Sequence, residues 1–178
     1  MADVVLVIDM QRGFLEDGTP LFCGDAAREI IPNVKKLLDR ELARGSTIIF
    51  TADNHDPDDP EFAMWPPHCV AGSEEAEIVP ELASYSGGRL PTKRYSGFYG
   101  TDLAERLEEM KPDKIHVCGV CTDICVMHTV ADARYRDYDV YVYTDCVASF
   151  DEEMHRFGLK HMGDILGAKL VSVEPESA

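Results

Sequence analysis

Val4 to Ile8 is an unbroken apolar run rich in β-branched residues, the pattern of a parallel strand covered on both faces. Similar runs recur at Thr47 to Ala52, Leu90 to Thr92, Lys114 to Gly119, Asp139 to Thr144 and Lys169 to Val173. Stretches of helical spacing separate them. One helix is expected from Asp25, as its cap, through Pro32 to Arg44, with Gly45 as its stop. A short helical piece is expected at Ala76 to Leu82. Further helices are expected from Thr101 to Met110, with Glu105 near the capping-box position, from Asp123 to Arg136, and from Glu152 to Ile165. In the second of these, Val126, Val130 and Ala133 share one stripe. This alternation predicts a single α/β domain, a three-layer sandwich with a mostly parallel sheet.

With 178 residues the chain can bury roughly 70% of its extended surface around one core. Its 17 basic and 33 acidic residues give a net charge of −16, a field that repels nucleic acid and anionic membranes and leaves a small molecule as the expected ligand. The six cysteines show no cystine-like spacing, and neither a signal peptide nor an apolar run long enough to span a bilayer is visible. A reducing, cytoplasmic setting is therefore expected. The sequence leaves open whether copies assemble into a homo-oligomer.

Candidate chemistry gathers where strands end. Asp9, Asp53, the segment Cys121 to Cys125 and Asp145 each follow an expected strand, and open parallel sheets bind ligands beyond their carboxyl ends. Cys125 falls at the start of a helix, where orphan N–H groups favour thiolate; a small buried hydrophobe is the alternative. Asp9 could serve as its base, or be a capping carboxylate. Lys93 could stabilise these charges or an oxyanion, or be a solvated lysine. The segment Asp53 to Ser73, with four prolines and the only tryptophan, reads as an ordered binding loop. Its Asp53, His55 and His68 make a three-ligand set suited to zinc, iron or manganese. Cys118, Cys121 and Cys125 could instead be a metal or redox cluster, but Cys118 lies within a strand pattern and Gly119 sends the three side chains apart.

Asp9-Met10-Gln11-Arg12-Gly13-Phe14, Asp53-Asn54-His55, Trp65-Pro66-Pro67-His68-Cys69, Lys93, Tyr95-Ser96-Gly97-Phe98 and Gly119-Val120-Cys121-Thr122-Asp123-Ile124-Cys125-Val126 together resemble the isochorismatase-like cysteine hydrolases, in particular their nicotinamidase (pyrazinamidase) branch. The resemblance implies a six-stranded parallel sheet of order 3-2-1-4-5-6 and a catalytic triad of Asp9, Lys93 and Cys125. It implies an oxyanion hole from the N–H groups of Cys121 and Cys125, shaped by a cis peptide between Val120 and Cys121. It also implies one divalent metal, zinc foremost, on Asp53, His55 and His68, and ring-binding walls of Phe14, Trp65 and Tyr95. The implied reaction is hydrolysis of nicotinamide to nicotinate and ammonia through a thioester. Another cysteine hydrolase, such as an isochorismatase or a carbamoyl-amide hydrolase, and a noncatalytic binding protein are the alternatives. Two departures stand out: no histidine occurs from Asp56 to Pro67, so water is expected to complete the metal shell, and Ile124 precedes the cysteine where some relatives carry a polar residue.

Overall fold

The computed structural model describes residues 2–173. Six strands, β1 (Val4–Ile8), β2 (Thr47–Asp53), β3 (Arg89–Thr92), β4 (Ile115–Val120), β5 (Val140–Ala148) and β6 (Lys169–Val171), form one sheet of order 3-2-1-4-5-6. Every pairing is parallel. The pleat of β1 divides its apolar run between two layers. Val5 and Val7 join one core cluster with Leu37 and Leu38, while Val4, Leu6 and Ile8 join the other with Leu103, Val126 and Val130.

Helices α1 (Arg12–Leu15), α2 (Asp25–Glu29) and α3 (Ile31–Ala43) serve the first layer; α4 (Leu103–Met110), α5 (Met127–Tyr135) and α6 (Glu152–Asp164) serve the second. The helix expected from Asp25 is thus two. Pro32 lacks a backbone donor and suits only a first turn, so a new helix starts at Ile31. Asp25 is the first helical residue, Gly24 being the cap. The piece expected at Ala76 to Leu82 is instead two short 3-10 turns, Glu74–Ala76 and Ala83–Tyr85. α4 is capped at Asp102, although the Thr101 hydroxyl does take the Leu103 N–H at 3.3 Å.

Two differences reshape the site. The helix expected from Asp123 opens as a wide π turn, Thr122–Val126, before α5 begins, which places Cys125 in the turn itself. Strand β5 runs on to Ala148, four residues beyond the expected end, so Asp145 lies inside it and takes the Val173 N–H at 3.0 Å instead of facing the cleft. Among the described residues no helix is long and apolar enough to cross a membrane.

Candidate active site

At the carboxyl edge of the sheet a narrow cleft open to solvent is lined by Asp9, Asp53 and Glu61, by Cys121 and Cys125, by His68, and by the apolar walls of Phe14, Leu21, Trp65, Tyr95, Val120, Ile124 and Phe150. β1 ends at Ile8 and delivers Asp9, whose backbone is left-handed at φ 48°. The adjoining β4 delivers the Val120–Cys121 peptide, which is cis, and the turn carrying Cys125. Gly119 makes this junction possible: at φ +120° it lies so close to β1 that a Cβ there would sit 2.0 Å from the Ile8 carbonyl oxygen.

Asp9 and the Cys125 thiol are neighbours in the cleft, and the Thr51 hydroxyl donates to Asp9 Oδ1 at 2.8 Å. Cys125 is buried rather than poised at a solvated helix start. Burial, with Asp9 and Asp53 nearby, pushes its thiol up, opposite to the shift expected from a helix dipole. Burial and the Asp53 charge likewise lift Asp9 to about 8. Both shifts favour the protonated forms, so sulfur becomes nucleophilic only as an ionised Asp9 takes its proton.

Beside this pair lies the acid and imidazole cluster. His55 Nδ1 is fixed by Asp59 Oδ2 at 3.1 Å and His68 Nδ1 by the Pro66 carbonyl at 2.8 Å, so both rings turn Nε2 toward Asp53 Oδ2, each at 3.5 Å. The three ligand atoms lie within 4.8 Å of one another. His55 Nε2 is buried without a hydrogen-bond partner. A divalent metal fits here on three counts: the orphaned imidazole nitrogen, the carboxylate between the two rings, and the outer partners that set both tautomers. Burial works against a charged His55, but Asp53 and Asp59 outweigh it and lift the imidazole to about 9. Gln11 clamps the strand end below, accepting from Asp53 N at 2.7 Å and donating to Asp53 O at 2.8 Å.

Of the residues singled out from sequence, Asp9, Cys121, Cys125, Asp53, His68, Phe14, Trp65 and Tyr95 line one cleft, with His55 just behind it. Trp65 Nε1 donates to the Tyr95 hydroxyl at 3.1 Å. Lys93 is the exception. The pleat of β3 turns Leu90 and Thr92 inward and Pro91 outward, and Lys93 continues on the outer side, its ammonium paired with Asp56. It does not join Asp9 and Cys125; Thr92 occupies the inward place and donates to Asp53 Oδ1 at 3.2 Å.

Two contributors escape sequence reasoning. Glu61, in a 3-10 turn (Pro60–Ala63), lines the cleft with a buried Oε2 that has no hydrogen-bond partner and lies 3.6 Å from Arg94, so a carboxylate stands where only water was expected to complete a metal shell. Phe150, just past the true end of β5, stacks on Trp65 with ring centroids 6.2 Å apart. Cys118 is buried inside β4, with its sulfur near the Leu6 carbonyl, and takes no part in a cysteine cluster with Cys125.

Known proteins share this fold. The profile of the isochorismatase domain matches residues 3–174. Nicotinamidase PncA from Bacillus subtilis superposes with a TM-score of 0.90 at 32% identity, over 97% of this chain and 100% of that one. The pyrazinamidase of Pyrococcus horikoshii, solved in complex with zinc, gives 0.88 at 31% identity over 97% and 99%. N-carbamoylsarcosine amidase from Thermoplasma acidophilum gives 0.86 at 31% over 99% and 100%. A match of this extent makes the chain a member of the isochorismatase family.

Proposed function

We propose that this hydrolase is a metal-assisted cysteine amidase that converts nicotinamide to nicotinate and ammonia. The observation that carries the reading is the meeting, in one small aromatic-walled cleft, of the Asp9 and Cys125 pair with the Asp53, His55 and His68 cluster. Asp9 takes the thiol proton as Cys125 Sγ attacks the amide carbon. The N–H groups of Cys121 and Cys125 receive the oxyanion. Asp9 then passes the proton to the amide nitrogen, the C–N bond breaks, ammonia leaves and a thioester remains on Cys125. Water, deprotonated by Asp9, attacks the thioester; the carboxylate departs and the thiol is restored.

Asp53, His55 and His68, with Glu61 in reach, would hold one divalent transition ion, zinc foremost. When bound, it supplies a Lewis-acid anchor for the pyridine nitrogen and offsets the Asp53 charge that lifts Asp9. Phe14, Trp65 and Tyr95, joined by Phe150, would sandwich the flat ring. Among the described residues no lysine or arginine lines the cleft, whereas Asp9, Asp53 and Glu61 do. A neutral amide suits that lining better than a dicarboxylate such as isochorismate.

Ammonia release from nicotinamide, measured with and without a chelator, tests the reading. Cys125→Ala is expected to abolish turnover with an unchanged circular dichroism spectrum. Substantial residual turnover would mean the nucleophile is misassigned; full activity in demonstrably metal-free protein would remove the metal.

A further inference from the structure

Sequence spacing sets Cys121 beside Cys118 and Cys125, but the fold gives its sulfur a different neighbour. Cys23, 98 residues away along the chain, brings its Sγ to 3.3 Å from that of Cys121. Both residues are buried, and all six cysteines are free. The two sulfurs meet in the wall between two openings. Cys121 lines the catalytic cleft, whereas Cys23 lines a second, open groove together with Asp25, Ile30, Val147, Ser149 and His155. Cys23 is also tied to the walls of the cleft: its N–H donates to the Phe14 carbonyl at 2.9 Å, and its thiol faces the Leu21 carbonyl at 3.7 Å. Phe14 and Leu21 both line the cleft.

We infer that Cys23 and Cys121 are a modification site, a thiol pair that a peroxide converts into a reversible disulfide and so shuts off the catalytic cleft from behind. A peroxide entering the groove meets the Cys23 sulfur first. The Cys23 thiolate attacks one peroxide oxygen, the O–O bond breaks, and a sulfenic acid and hydroxide result. Cys121 Sγ then attacks the sulfenic sulfur, the S–O bond breaks, and the Cys121 proton leaves with the hydroxyl as water. Over both steps two thiols and one hydrogen peroxide give one disulfide and two waters; the sulfurs lose two electrons and the peroxide gains them. The Cys23 contact and burial push the Cys121 thiol up, which makes it the poorer first target and leaves that role to Cys23. Bonded sulfurs sit closer than 3.3 Å, so closure draws the Cys121 turn toward the segment that carries Leu21 and holds Phe14. The inference deepens the amidase reading and rests on it for the loss of turnover, since the Cys121 N–H is the proposed oxyanion donor.

The test treats the reduced, zinc-loaded full chain with graded hydrogen peroxide, blocks the remaining thiols with iodoacetamide and maps its peptides by mass without reduction. A cross-linked pair joining Cys23 to Cys121 is expected, accumulating in step with a fall of about 10- to 100-fold in kcat/KM for nicotinamide. Dithiothreitol should break the link and restore the rate. Before peroxide, Cys23→Ala and Cys23→Ser should stay within about twofold of the parent, because the thiol lies outside the cleft and packs as a small hydrophobe. Both should then need about tenfold more peroxide for the same loss, which in them is oxidation of Cys125 beyond the reach of dithiothreitol. Inactivation of the parent without the Cys23 to Cys121 link, a link that leaves the rate intact, or variants as sensitive as the parent would overturn the inference. If both variants fail to fold, the parent's peptide map set against its activity still decides it. If the parent hydrolyses no nicotinamide, the amidase reading falls, while the map still shows whether the disulfide forms and reverses; its absence would overturn the inference on its own.

Discussion

Replacing Gly119 by alanine should damage catalysis more than its single added carbon suggests. The new Cβ would lie 2.0 Å from the Ile8 carbonyl oxygen and 2.7 Å from its amide nitrogen. A normal carbon to oxygen contact needs about 3.3 Å or more, so β1 and β4 must separate by roughly 1 Å at their carboxyl ends. Those ends carry Asp9 on one strand and the Cys121 to Cys125 turn on the other. Overpacking costs roughly 1–3 kcal/mol, and a backbone at φ +120° adds about 1–2 kcal/mol for a residue with a side chain. The sum, roughly 2–5 kcal/mol, corresponds to a fall in Tm of about 10 °C for a domain of this size. A displacement of about 1 Å between base and nucleophile can cost about 100-fold in rate. Thermal melting and single-substrate kinetics measure both effects. Gly18→Ala is the control: φ is +86° but nothing lies within 4 Å of the new carbon, so only the backbone penalty of about 1–2 kcal/mol should appear, with kcat/KM unchanged. A Gly119→Ala protein that melts within about 2 °C of the parent and keeps its rate would refute the close-approach reasoning.

Three further outcomes are expected. Because Asp53 and Asp59 outweigh burial and keep His55 charged up to about pH 9, and a metal needs the neutral ring, zinc affinity should rise about tenfold per pH unit from 6.5 to 8.5; a flat profile by chelator competition would remove that proton from the equilibrium. Burial would raise Asp59, but the Glu61 amide, His55 and Arg94 outweigh it and hold its carboxyl down to about 2. Its contribution is therefore fully present above pH about 4 and lost as pH falls through 2, so Asp59→Asn should cost at most about 2 kcal/mol at pH 6 and progressively less toward pH 2 in parallel melts. At the opposite end of the sheet Glu41, fully buried, meets Arg40 at 2.9 Å, Arg44 at 3.0 Å and His116 at 3.7 Å. Glu41→Gln should lower stability by roughly 2–4 kcal/mol while leaving kcat/KM within about twofold, and a selective loss of activity without a change in Tm would contradict that separation.

The buried strands were the most legible part of the sequence, because β1 is covered on both faces and apolar throughout, and β2 and β4 are largely buried and mostly apolar. Their spatial order came from the family resemblance, since hydrophobic runs do not encode which strands neighbour each other. β5 was cut short because Thr144 and Asp145 break its apolar pattern while its backbone pairing resumes at Val147 after a register shift. That truncation hid Phe150 and misplaced Asp145. The placement of Lys93 was illegible for a different reason: strand position locates a residue at the rim, but only the two-residue pleat, visible in the inward Leu90 and Thr92, says which face it takes. Glu61 carried no local sign of burial, because its carboxyl is enclosed by a loop folding back on distant strands. For Cys125, the local helix-start reasoning lost to burial and two nearby carboxylates, which come from β1 and β2.

The carboxylate-rich lining of the cleft also sets the fate of the product. On the proposed amidase reading the amide arrives uncharged and departs as an anion, and among the described residues no guanidinium or ammonium lines the cleft to retain it. Once its negative charge appears between Asp9 and Glu61, repulsion favours escape and opposes re-entry. Turnover should then resist slowing by accumulated acid, and amides bearing a ring carboxyl should be refused at the entrance.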